Sequence, residues 1–204
     1  RPVLTRRQAR QILSAPDPQT PQGIRDRAML ELFYSSGIRR EEMARLSIHD
    51  ADIRNGFLRV NQGKGGRGRV VPIGKKACET LSAWLEIRSM WIKNGRNGIL
   101  QDALWLAPVQ PHQPLKKEAI AAIVRRHGRV GPHRWRHTFA THLVSGGANI
   151  AHVQRLLGHR SIKTTEIYTR VSIPEIKETF RRAHPRERLR NKKHERFIFH
   201  PRAP

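Results

Sequence analysis

The alternation of apolar and polar positions divides the chain into helices around one short stretch of strands. In "IRDRAMLELFYSSG", Ile24, Ala28 and Leu32, joined by Met29 and Phe33, recur at helical spacing, and Gly37 supplies a natural stop. Ahead of it, "LTRRQARQIL" sets Thr5 and Gln8 three residues apart, a capping-box pattern that opens a short helix. The intervening "DPQTPQG" reads as a loop, and "REEMARL" as a further helical turn or two. The period then changes. Asn55-Gly56 separates the apolar-containing runs of "ADIRNGFLRV", a hairpin signal, and "RVVPI" reads as another strand after the glycine-rich "NQGKGGRG". Residues 51–73 are therefore expected to form a small antiparallel sheet. Helical spacing returns from Lys75 to Asn94-Gly95, and "LWLAP" suits a short strand. Helices are predicted over "PLKKEAIAAIVRRHG" (ending at Gly128), the stretch from Pro132, "ANIAHVQRLLG", "SIKTTEIY" and "PEIKETFRRAH". The pattern predicts a mainly α fold with a small antiparallel β-sheet (α+β).

Periodicity is lost at His184. Residues 181–204 hold nine Lys/Arg against two Glu, so 184–204 reads as a solvated, mobile basic tail. The whole chain of 204 residues carries a net charge of +24, from 40 basic and 16 acidic residues. Such a surplus repels itself in a compact state and finds its use on a polyanion, where each neutralised phosphate releases counterions. Nucleic acid is the expected partner. No membrane role is expected, because no apolar run approaches the roughly 18 to 20 residues that span a bilayer. Cys78 is the only cysteine, which excludes a disulfide within the chain and fits a cytoplasmic setting; it falls in a helical pattern as a small core residue. Opening at Arg1 with no signal-peptide pattern, the chain reads as a fragment whose N-terminal sequence lies elsewhere.

The densest chemistry lies in "GPHRWRHTFATHL", where three histidines and two arginines fall within ten residues. At about 100° per residue, Trp135, Phe139 and Leu143 share one side of a helix and form its core stripe. His133 and Arg136, three apart, project together on one flank and could converge on one ligand. His133 and His137 have the spacing of a metal-binding pair. The following glutamate of such motifs is missing, however, and Arg134 stands there, which disfavours a cation. A plain basic face remains the alternative.

Three further segments suit one phosphate. In "SGIRREEMARL", Arg39 offers a planar fork to two phosphate oxygens, or simply pairs with Glu42 three residues on. In "VNQGKGGRGRVVPI", Gly63, Gly65 and Gly66 flank Lys64 at a turn, which could deliver a proton or merely touch a phosphate. In "LLGHRSIKTTEIYTRV", His159 follows Gly158 and Tyr168 lies among polar residues. The chain has only two tyrosines, and Tyr34 sits in an apolar run. A phenol becomes a nucleophile where neighbouring cations lower its pKa from near 10.

Taken in order, "GIRREE", "GKGGRGRVVPIG", "PHRWRHTFATHL", "LLGHRSIKTT" and "YTRV" resemble the catalytic domain of a tyrosine recombinase, the phage-integrase and Xer-like family. The resemblance covers roughly residues 3–180 and implies the DNA breaking-rejoining fold over 1–183. It also implies an N-terminal core-binding domain, expected to be absent from this chain. The implied catalytic residues are Arg39, Lys64, His133, Arg136, His159 and Tyr168, with Glu42 in support. By the same resemblance Tyr168 attacks a scissile phosphodiester, leaving a 3′-phosphotyrosyl link and a free 5′-hydroxyl. Arg39, Arg136 and His159 hold the phosphate, His133 assists proton handling or binds the phosphate, and Lys64 protonates the leaving oxygen. No metal or other cofactor is implied. The partner is double-stranded DNA, with a homotetramer on two duplexes for the full-length protein and a monomeric isolated fragment. The helix with Ile173, Ile176 and Phe180 then docks on a neighbouring protomer, or folds back on its own domain. The rivals are a non-catalytic DNA-binding regulator, which leaves Lys64, His159 and Tyr168 unexplained, and a type IB-like topoisomerase sharing the chemistry.

Overall fold

The structure is a computed structural model and describes residues 3–61, 68–93, 102–108, 113–158 and 173–187. Among these, helix α1 (Arg6–Leu13) is opened by the expected capping box of Thr5 and Gln8. Helix α2 (Pro21–Ser36) begins three residues inside the predicted loop. Thr20 caps it by accepting from the Gly23 N–H, and Pro21 fits the first turn because it has no N–H to leave unpaired. Gly37 ends it in the left-handed region at φ 60°. Helix α3 (Arg40–Ala44) follows at once.

The sheet has the order β1 (Ala51–Asp52), β2 (Phe57–Val60), β3 (Arg69–Pro72), antiparallel throughout. Asp52 pairs with Phe57, so Asn55-Gly56 closes a four-residue turn rather than forming a two-residue loop; Gly56 takes φ 71°. Val60 and Leu58 of β2 and Val71 of β3 face the core.

Helices α4 (Lys75–Lys93), α5 (Lys117–Gly128), α6 (Pro132–Ser145), α7 (Ile150–Leu157) and α8 (Ile173–Ala183) complete the domain. The strand expected at "LWLAP" reduces to isolated bridges, Ser47 to Ala103 and Leu106 to Pro114, while Trp105 and Leu106 turn into the core. Helix α5 ends at Gly128 as expected, but the left-handed residue that follows is Arg129, at φ 52°, rather than the glycine. Gly128 serves instead as a contact, since a Cβ there would stand 2.8 Å from the Ile12 side chain.

Helix α2 is the axis of the domain and packs on α1, α4, α5, α6 and β3. It is buried nearly all round, polar residues included. Each of those has a partner. Arg25 pairs with Asp26 and donates to the Leu106 carbonyl, and His127 meets Asp26 at 2.9 Å. The Ser35 hydroxyl accepts from the Gly74 N–H, and Glu31 pairs with Arg186.

That last pair marks a correction. The tail expected to be solvated from His184 stays packed through Glu187. His184 is fully buried, stacked on Phe180, with Nε2 donating to the Tyr34 carbonyl and Nδ1 accepting from the Arg186 N–H. Glu187 accepts from the Lys75 N–H and so caps the start of α4. Helix α8 packs on its own chain: Ile176, Phe180 and Ala183 are buried, against α6 and β3 among other elements. Lys177 donates to the Asn55 carbonyl and lies over the Phe57 ring. Among the described residues no helix is long and apolar enough to cross a membrane.

Candidate active site

Helix α6 carries its side chains as the spacing predicts. Trp135, Phe139 and Leu143 are buried and anchor the helix, with Trp135 edge-on to Tyr34. Arg136 is 8% exposed, on the flank next to this stripe, while His133, one turn earlier, is exposed. The α2–α6 junction is tight: a methyl at Gly37 would stand 2.3 Å from the Phe139 ring. This approach lets Arg136 Nη1 donate to the Gly37 carbonyl at 2.8 Å, while Nη2 donates to the Leu157 carbonyl at 2.6 Å.

Leu157 is the last residue of α7, and its carbonyl is among those a helix end leaves without an intrahelical partner. Its neighbours are treated alike. Arg39 Nη2 reaches the Gly158 carbonyl at 3.4 Å, and Arg69 Nε donates to the Leu156 carbonyl at 2.8 Å. Three guanidiniums from three elements thus converge on three consecutive carbonyls, at the end of the helix where its dipole is negative.

Glu42 ties the cluster together. Its carboxylate accepts from the Arg39 N–H at 2.7 Å and from Arg39 Nη1 at 3.0 Å. It also accepts from Arg69 Nη1 at 2.8 Å and Nη2 at 2.9 Å, a two-pronged pair. Burial opposes its charge, yet the hydrogen bonds and charges of Arg69 and Arg39 prevail and hold the carboxyl down at about 2. The ion pair foreseen between Arg39 and Glu42 therefore exists, but as one part of a larger assembly.

Three arginines against one carboxylate leave a surplus of positive charge. Arg136 registers it: burial first, then the charge of Arg39, pushes its guanidinium down to about 10, still protonated at neutral pH. Arg39 is the member turned outward, with 41% of its side chain exposed. A cationic pocket of fixed forks, partly open to solvent, is suited to an oxyanion such as a phosphodiester.

Of the expected site residues, the structure brings Arg39, Glu42 and Arg136 together around the end of α7 and places His133 on the same helix as Arg136. Lys64, His159 and Tyr168 lie outside the described residues. The other tyrosine is withdrawn from chemistry: Tyr34 is buried, its hydroxyl donates to His142 Nδ1 at 2.8 Å, and burial pushes the phenol up to about 12. The motif reading missed Arg69. Its signal was available: it shares a strand face with the buried Val71, and an arginine on an inward face requires an acidic partner.

Comparison with known proteins follows the same line. The phage integrase family matches residues 2–174. The tyrosine recombinase XerC of Pelobacter propionicus is 37% identical over 188 residues, covering 89% of this chain and 59% of that protein. XerD of Xanthomonas axonopodis pv. citri is 38% identical over 193 residues, covering 90% and 63%. The chain thus spans about three fifths of the length of these relatives. Among solved structures, the XerA recombinase superposes with a TM-score of 0.69 at 26% identity, over 91% of this chain and 65% of that one. XerH recombinase, in a pre-cleavage complex with its difH substrate, gives 0.61 at 26%, over 86% and 52%.

Proposed function

The chain belongs to the phage integrase family of tyrosine recombinases, and from that premise we propose that it is the catalytic domain of a site-specific recombinase. It cleaves and rejoins DNA strands by transesterification through a 3′-phosphotyrosyl link. The observation that carries this reading is the convergence of Arg39 and Arg136 at one helix end, with a net positive charge and one outward-facing fork.

In the reaction the Tyr168 oxygen attacks the scissile phosphorus in line, the new O–P bond forms, and the bond to the 5′-oxygen breaks. Lys64 gives that oxygen its proton. Arg39 and Arg136 hold the nonbridging oxygens, and their fixed positions mean that little reorganisation is needed as charge grows there. His159 donates to the same phosphate, and exposed His133 stands one turn from Arg136 to bind the phosphate or handle the tyrosine proton. The reverse attack by a 5′-hydroxyl of another strand reseals the DNA. The covalent link conserves the phosphodiester energy, so ATP is not required.

Double-stranded DNA is the partner, and four protomers on two duplexes form the assembly of the whole protein. The net charge of +24 supports the first of these. The site of action is the cytoplasm, on the bacterial nucleoid when the protein is bound to DNA. Residues 1–183 supply the catalytic unit, residues 184–187 lock its end, and 188–204 add basic charge.

Covalent trapping tests the reading. End-labelled nicked duplexes that release a short strand on cleavage are mixed with the chain in EDTA and quenched in detergent. A labelled band at protein mass is expected with the wild type and is lost with Tyr168→Phe. A DNA-binding regulator would form no such band, and a topoisomerase would relax supercoiled DNA of any sequence.

A further inference from the structure

Arg69 has no part in the chemistry just described, yet it is the most fully engaged of the three arginines. All three of its guanidinium nitrogens donate. Nη1 and Nη2 grip both oxygens of Glu42, and Nε reaches the Leu156 carbonyl. Only 11% of its side chain is exposed, against 41% for Arg39. Both of its Nη groups are held by a carboxylate, which competes with a phosphate for them, whereas those of Arg136 meet only neutral carbonyls. The contacts of Arg69 join the elements that carry the site: β3, which bears it; α3, whose Glu42 holds Arg39; and the end of α7, which Arg136 and Arg39 also cap.

We propose that Arg69 is a positioning residue of the phosphoryl-transfer site, fixing Arg39 through Glu42 and fixing the end of α7 through the Leu156 carbonyl. Without it, Glu42 loses two of its four hydrogen bonds, and Arg39 is held by a carboxylate that is itself free to turn. The α7 end loses one of the three caps that set its distance from Arg39 and Arg136. Misplacing a phosphate-holding group by about 1 Å costs on the order of 100-fold in rate. A lysine cannot replace the fork: its ammonium is a point charge that meets one oxygen and leaves the carbonyl unpaired.

This inference rests on the recombinase reading, and the test separates the two. Single-turnover formation of the covalent adduct is followed at saturating nicked duplex, together with DNA affinity and thermal unfolding. The variants of the full chain are Arg69→Gln, Arg69→Lys and the double variant Arg69→Gln/Glu42→Gln. The expected result is a maximum rate lowered about 100-fold in Arg69→Gln with DNA affinity unchanged, and an intermediate rate in Arg69→Lys. The double variant, relieved of a buried carboxylate that has lost its two-pronged partner, recovers thermal stability but keeps the low rate. Arg69 is reduced to a structural ion-pair partner if rate and stability recover together in the double variant. A wild-type rate in Arg69→Gln or in Arg69→Lys also overturns the proposal. A wild-type chain that forms no adduct overturns the recombinase reading, and the inference with it; a wild-type adduct with unimpaired variants overturns the inference alone.

Discussion

At the scale of single residues, the site is a problem of charge placement. Glu42 accepts four hydrogen bonds with its two oxygens, which fills its capacity, so Arg39 is held on one side and left open on the other. If Arg39 neutralises charge growing on a nonbridging oxygen, Arg39→Ala should lower the cleavage rate about 100- to 1,000-fold. On a duplex whose scissile phosphate carries a neutral methyl in place of one such oxygen, that penalty should largely disappear; an unchanged penalty would show that Arg39 does something else. Arg39, Glu42 and Arg136 were legible in the sequence because each lies in a local motif. No motif singles out Arg69: its partner is 27 residues away, and its one signal is the strand face it shares with the buried Val71.

At the scale of elements, two glycines beside the same helix should behave oppositely. Gly37 combines φ 60° with a 2.3 Å approach to Phe139, so Gly37→Ala meets both backbone strain and overpacking. A loss of about 2 to 4 kcal/mol in urea unfolding is expected, with a matching loss of the Arg136 contact to the Gly37 carbonyl. Gly131, before α6, has φ −86° and open space where a methyl would go. Gly131→Ala should cost less than about 1 kcal/mol, the price of a poorer helix cap. Elements with strong local signals were readable: the Thr5 capping box, the stop at Gly37, and the antiparallel sheet around Asn55-Gly56. The all-round burial of α2 was not, since the partners of Arg25 and Glu31 lie 81 and 155 residues along the chain. Nor could spacing show that Gly128, at the end of its helix, also admits the Ile12 side chain.

At the scale of the whole molecule, the end of the domain is closed by residues that composition assigns to solvent. A charge-rich run looks alike whether it is free or folded back, so only tertiary contacts could reveal that His184, Arg186 and Glu187 pack. His184 makes this measurable. Burial, helped by the charge of Arg186, pushes its imidazole down to about 3, against the weaker effect of the Tyr34 carbonyl. An unfolded histidine titrates near 6.5, so below that pH the unfolded chain binds a proton that the folded chain refuses. Stability should therefore be full above pH 6.5 and fall as the pH drops toward 3. Urea unfolding at pH 7 and pH 5 should show this slope in the wild type and a smaller one in His184→Gln; equal slopes would remove His184 from the account.

The most direct measurement is to find which residue carries the DNA. After trapping on a nicked duplex and nuclease digestion, peptide mass mapping should place the remaining nucleotide on Tyr168 alone. A nucleotide on Tyr34 or on any other side chain, or no covalent nucleotide at all, would contradict the account.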